Sequence, residues 1–138
     1  RYNADFAALR QVLKRLQKGG VLAMSPEGTR SPGGALQEGH WGAAYLAAKA
    51  GVPLVPVGAT GTRDQEVLWR LKHFKRAQVT LRVGTPFTLP PLIPATREAQ
   101  LKESTDEIMC QIAALLPPEQ RGVYADHPRL REILSQNL

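Results

Sequence analysis

The sequence predicts an α/β layer fold in which helices cover a mostly parallel sheet. Three features predict it: helix-like and strand-like periods alternate along the chain, Val21-Leu22-Ala23-Met24 is apolar at every position, and a long amphipathic stretch stops at Pro117-Pro118. A run with no polar side reads as a strand covered on both faces.

A first helix is expected from Asn3, a suitable cap, through Phe6, Leu9, Val12, Leu13 and Leu16 on one face. Asp5 near its start and Lys14, Arg15 and Lys18 near its end suit the helix dipole, and Gly19-Gly20 ends it. The strand at residues 21–24 follows, then a glycine-rich loop, then a helix over residues 41–50 closed by Gly51. Its Ala43, Ala44, Ala47 and Ala48 would lie close on a sheet. A second strand is expected over residues 54–59, where Pro56 implies an edge or bulge. Residues 78–83 alternate, so a third strand should have one less buried face. Pro86, Pro90, Pro91 and Pro94 mark a connector before a long helix over residues 96–116, with Leu101, Ile108, Met109, Ile112 and Leu115 inward. The chain then divides into a main domain, residues 1–116, and a tail, residues 117–138, with a short helix near Arg129 to Ser135. Three strands are few for such a sheet. An exposed apolar face or edge is therefore expected on it.

Composition bounds the function without choosing it. A chain of 138 residues that is 43% hydrophobic supports one core. Eighteen Lys and Arg against twelve Asp and Glu leave +6, which favours acidic partners such as phospholipid headgroups, acyl-carrier protein, coenzyme A or nucleic acid. The lone Cys110 cannot form an internal disulfide, and one Cys with three scattered His lacks metal-ligand spacing. No stretch approaches the roughly 18 apolar residues needed to cross a bilayer. Any membrane contact is therefore expected to be peripheral. The segment Trp69-Arg70-Leu71-Lys72-His73-Phe74-Lys75-Arg76 interleaves rings and cations as a headgroup-boundary surface would, and equally as a solvated helix end would.

The densest chemistry follows the first predicted strand, in Ser25-Pro26-Glu27-Gly28-Thr29-Arg30-Ser31. Pro26 fixes its own φ, Gly28 lets a ligand approach the main chain, and Arg30 presents a planar fork suited to phosphate or carboxylate. Glu27 would accept a hydrogen bond from a substrate hydroxyl. The plain alternative is a type I turn over residues 25–28 in which Glu27 merely pairs with Arg30.

Pro26-Glu27-Gly28-Thr29-Arg30-Ser31 resembles the third signature block of the glycerolipid acyltransferases, the group containing 1-acylglycerol-3-phosphate acyltransferase. The resemblance continues through the small-residue run Gly42-Ala43-Ala44-Tyr45-Leu46-Ala47, then Val52-Pro53-Leu54-Val55-Pro56-Val57, and into the tail at Leu116-Pro117-Pro118-Glu119-Gln120-Arg121-Gly122-Val123-Tyr124. It implies a glycerol-3-phosphate acyltransferase-like fold of which residues 1–116 are the carboxyl-terminal portion. Two departures stand out. The family's His and Asp, four residues apart and upstream of this block, have no counterpart in the sequence, and Ser25 stands where relatives carry Phe. His127 and Glu132 reproduce the four-residue gap but follow the block instead of preceding it. His40 stands where relatives usually have Lys or Arg and suggests an anion contact or a helix-start role in preference to a base, while His73 sits inside the basic segment.

The resemblance implies acyl transfer from acyl-CoA or acyl-ACP to the hydroxyl of a lysophosphatidate or glycerol-phosphate acceptor, in phospholipid synthesis at the cytoplasmic face of a membrane. It assigns acceptor binding to Glu27, Gly28, Thr29 and Arg30, with Arg1 as a further phosphate ligand from the second signature block. No catalytic residue is assigned within the chain, which is expected to be inactive by itself and to need no cofactor or metal. Two alternatives remain: a non-catalytic module that binds phospholipid or acyl thioester, and a small basic nucleic-acid-binding protein.

Overall fold

Helix α4, Arg97–Ala114, carries apolar contacts on two sides. The computed structural model describes residues 2–29, 31, 33–62, 64–76 and 78–136, with side chains for all of these except 2–6 and 64. On one side Met109, Cys110 and Ala113 pack with Tyr124 and with Leu130 and Ile133 of α5, Pro128–Gln136. On the other, Ile108 packs with Ala43 and Ala44 of α2, Gly42–Ala50, flanked by Leu54, Phe87, Leu89 and Leu101. The small α2 residues thus approach a helix where a sheet was expected. Their lack of bulk permits close approach to either surface. The expected stop of α2 holds: Gly51 adopts φ 65° and its N–H donates to Ala47 O at 2.9 Å.

Helix α1, Tyr2–Gln17, packs against α2 and buries Leu16 on the predicted face. Asn3 lies inside it and so does not cap it. The strand expected at residues 21–24 does not form: the segment has no regular secondary structure, and Val21 is 99% exposed. An apolar run becomes a strand only beside a partner, and the described residues supply none.

The described sheet is one antiparallel pair, β1 (Val57–Thr60) with β2 (Thr80–Val83), in place of the mostly parallel sheet anticipated. The register sets Thr60 opposite Thr80 and Val57 opposite Val83, so β2 begins beside the end of β1. The intervening excursion, which contains α3, Asp64–Lys72, therefore returns the chain to the end it left without crossing the sheet. A bridge between Leu54 and Phe87 extends the pairing past Pro56, whose carbonyl accepts from Gly84 N–H at 2.9 Å. One face of the pair turns to α4: a Cβ on Gly58 would stand 2.9 Å from Leu115 Cβ. The opposite face carries Val57, Leu81 and Val83, all exposed. An exposed apolar face was expected, and this is one.

The tail packs as part of the same core. Short 3₁₀ turns at Pro118–Gln120 and Gly122–Tyr124 lead into α5, and Tyr124, Leu130 and Ile133 are buried. Among the described residues no helix is long and apolar enough to cross a membrane.

Candidate functional site

The turn after the extended segment is closed as its sequence predicts. Gly28 N–H donates to Ser25 O at 3.2 Å, and Gly28 takes φ 66°, a conformation that costs an L-residue about 1 kcal/mol or more. A Cβ here would also stand 3.1 Å from His40 Cδ2, close enough that the exposed ring would have to give way slightly. Glu27 is half-buried, and its Oε2 accepts the Gln37 N–H at 3.0 Å. That bond engages one of the carboxylate's two oxygens. Thr29 is exposed at the turn, whereas Arg30 and Arg1 lie outside the described residues.

The loop after the turn is folded back onto it. His40 N–H donates to Pro26 O at 2.8 Å, and Ser31 Oγ donates to Ala35 O, tightening the bend between them. The loop is also fastened from the far end of the chain. Leu36 N–H donates to Gln120 O at 3.0 Å, Val123 N–H donates to Leu36 O at 3.2 Å, and Gly39 N–H donates to the Tyr124 hydroxyl at 3.0 Å. Gly39 lies against α4 so closely that a Cβ would be 2.7 Å from Met109 Cγ. Burial pushes the Tyr124 phenol above its ordinary pKa, with the Gly39 bond opposing, so the hydroxyl is neutral while it accepts this bond. Sequence reading missed this brace because its partners are 85 residues apart. The available signals were Gly39 and Gly122.

A cleft lies beside this turn. An open cavity of about 870 Å³ runs between the loop, α4 and the tail, lined by His40, Trp41, Lys102, Asp106, Tyr124 and His127 among others. His40 belongs to both places, lining the cleft and covering Gly28. Inside the cleft, His127 Nε2 faces Asp106 Oδ2 at 3.9 Å, and Lys102 Nζ binds the same oxygen at 2.9 Å. His127 Nδ1 accepts the Arg129 backbone N–H at 3.2 Å, which places the proton of the neutral ring on Nε2. Cys110 Sγ approaches the same Nδ1 at 3.4 Å. Burial pushes the thiol up to about 11, so Cys110 is a packed thiol and not a nucleophile.

The spacing of His127 and Glu132 does not make a pair. Glu132 binds Arg129 Nη1 at 2.9 Å, while Arg129 reaches Glu107 with Nε at 2.5 Å and Nη2 at 3.1 Å. This fork clasps α5 to α4 and holds the Glu107 carboxyl below its ordinary pKa. Among the described residues, no group of three or more His, Cys, Asp or Glu is arranged to hold a metal ion.

A family model described as Acyltransferase matches residues 2–60, which take in α1, the turn, α2 and β1. The chloroplastic 1-acyl-sn-glycerol-3-phosphate acyltransferase BAT2 of Brassica napus is 43% identical over 54 residues. Residues 2–60 are thus similar to acyltransferases of glycerolipid synthesis. The alignment to BAT2 covers 39% of this chain and 16% of that enzyme, so it spans about a sixth of the relative's length. No solved structure matches the chain. The acyltransferase segment contains the turn, the loop and His40, whereas the α4 and tail residues that brace them lie beyond it.

Proposed function

We propose that the chain carries the acceptor-binding part of an enzyme that transfers an acyl group from acyl-CoA or acyl-carrier protein to a lysophosphatidate or related glycerol phosphate. The observation that carries the reading is the turn itself: Gly28 in a left-handed conformation, beside a half-buried carboxylate with one oxygen committed to the loop, within the segment that matches the acyltransferases. Glu27 would accept a hydrogen bond from the glycerol moiety through its other oxygen. Gly28 and Thr29 would let the acceptor lie along the backbone, with Arg30 and Arg1 taking its phosphate.

In the reaction, a base removes the acceptor hydroxyl proton and the oxygen attacks the thioester carbonyl. The C–S bond breaks, and the thiol leaves with a proton. We assign no base within this chain. The His40 ring covers Gly28 with no side-chain hydrogen bond or ion pair among the described residues, and His127 addresses Asp106 in the neighbouring cleft. A base without an orienting partner does not suit the role. The family's upstream His and Asp fit it, and the chain alone is expected to show no turnover. The bare face of β1 and β2 and the unpaired residues 21–24 suit the same reading, as the places where further strands of a layered, mostly parallel sheet would pack.

The test uses Glu27→Gln and Glu27→Ala in the complete enzyme. Gln retains an oxygen to accept the Gln37 N–H, whereas Ala releases the loop. If Glu27 contacts the acceptor as an anion, Glu27→Gln lowers kcat/KM at least tenfold, about 1.4 kcal/mol of transition-state binding, with the fold intact. Unchanged kinetics in Glu27→Gln with a loss in Glu27→Ala would make Glu27 a loop anchor and remove it from the binding site.

A further inference from the structure

Helix α3 and the turn that ends it expose Leu68, Trp69, Leu71 and Phe74, the last 100% exposed. No other element packs extensively on α3 among the described residues. The turn has a specific geometry. Lys75 N–H donates to Arg70 O at 2.8 Å and Phe74 N–H donates to Leu71 O at 3.1 Å, which is the Schellman closure of a helix. Its left-handed position belongs to Phe74, at φ 53°, the one non-glycine residue with positive φ among those described. Glycine would fit there without steric cost. The chain instead holds a bare aromatic ring at its most exposed point.

Cations flank that residue in the sequence. Lys72, Lys75 and Arg76 flank it, while Arg70 is held by Glu66 at 3.1 Å and reaches Arg76 O at 3.4 Å. The Trp69 ring stacks on His73 with centroids 4.3 Å apart, and Lys75 Nζ stands 5.0 Å from its centre. Leu68 and Lys72 are one helical turn apart and share a side of α3 with Leu71. Apolar tips and cations are therefore interleaved on one protrusion.

We propose that α3 and its closing turn dock on an anionic phospholipid bilayer, with Phe74 leading into the headgroup boundary and Lys72, Lys75 and Arg76 meeting lipid phosphates. Charge complementarity selects this partner, since the chain carries +6 and its cations here rim apolar side chains. A nucleic acid would use the cations but not Leu68, Leu71 and Phe74 as a group, and Trp69 is already stacked on His73. The inference is independent of acyl transfer, and its readout involves no turnover.

The experiment is vesicle co-sedimentation of the full chain, with equal parts phosphatidylglycerol and phosphatidylcholine against phosphatidylcholine alone. The chain should pellet with the anionic vesicles, increasingly at low salt. Phe74→Gly should lower partitioning about tenfold, the effect of partly burying one ring, while the melting temperature stays equal or rises because glycine suits the turn. Lys75→Gln with Arg76→Gln should lower it about thirtyfold. Equal partitioning of Phe74→Gly and the parent would overturn the proposal, as would indifference to anionic lipid. Tighter binding to a duplex oligonucleotide, undiminished by Phe74→Gly, would overturn it in favour of nucleic acid.

Discussion

Replacing Tyr124 by Phe removes a single oxygen and asks whether the tail holds the loop behind Glu27. The ring is 5% exposed and stays in the core with Met109, Leu130 and Ile133, so its packing is retained. What disappears is the acceptor for Gly39 N–H at 3.0 Å. Gly39 is half-buried, so water recovers part of the loss and the net cost is about 1 kcal/mol. Unfolding entropy of about 2.1 cal/mol/K per residue gives about 0.29 kcal/mol/K for a chain of 138 residues, hence a melting shift of about 3 °C. The local effect is more diagnostic. If the bond limits opening of the loop, exchange of the Gly39 and Gln37 amides in the native state should accelerate about fivefold, while amides of α4 exchange as before. Both can be read by hydrogen exchange followed by NMR, beside a thermal melt. A melting shift without acceleration at Gly39 and Gln37 would show that Tyr124 contributes to stability but does not brace the loop.

Two other perturbations probe the same architecture. Gly122→Ala should destabilise the chain by about 3 kcal/mol or more, because Gly122 has φ 52° and a Cβ would fall 1.8 Å from Leu36 O; a melting temperature within 2 °C of the parent, an estimate from the same entropy scale, would contradict the tail-to-loop pairing. Acid should loosen the α4–α5 clasp. Hydrogen bonding from Arg129 depresses the folded pKa of Glu107 below 4.5, so its stabilisation is complete above that pH and is lost as the pH falls below it. Arg129→Met should flatten this part of a stability–pH curve, and an unaltered slope between the two proteins would refute the assignment.

Local signals made the helices legible and left the contacts between them unread. Gly51 after the α2 alanines and Pro117-Pro118 after the α4 pattern mark helix ends because backbone freedom and a missing N–H act within one turn. The α3 helix drew notice only for its charges and rings, since its apolar positions face outward and give no core-facing stripe. Residues 21–24 show the limit of an apolar run. Hydrophobicity states that a segment should be covered and does not say by what. The turn at Glu27 was legible as a turn because Pro and Gly fall together beside a carboxylate, but the Gln37 amide that holds Glu27 is a backbone group, and any residue except proline would supply it. His127 teaches the converse: spacing suggests Glu132, yet Arg129 claims that carboxylate and the ring faces Asp106, one helix away.

The boundary of the family match and the boundary of the folding unit do not coincide. The match ends at residue 60, but a segment cut there would lose every group that fastens the loop from outside: Gln120 O, Val123 N–H and the Tyr124 hydroxyl. It would also strip Ile108 from Ala43 and Ala44, exposing the small-residue face that lets α2 approach α4. The Leu36 and Gly39 amides would then turn to water, at a cost in order more than in enthalpy, because a glycine-rich loop has many conformations to regain. The turn's own bond from Gly28 to Ser25 would persist. What would be lost is the placement of Gln37 beside Glu27, and with it the fixed direction of the carboxylate. Residues 2–60 therefore specify the chemistry of the turn, while α4 and the tail specify where that chemistry points.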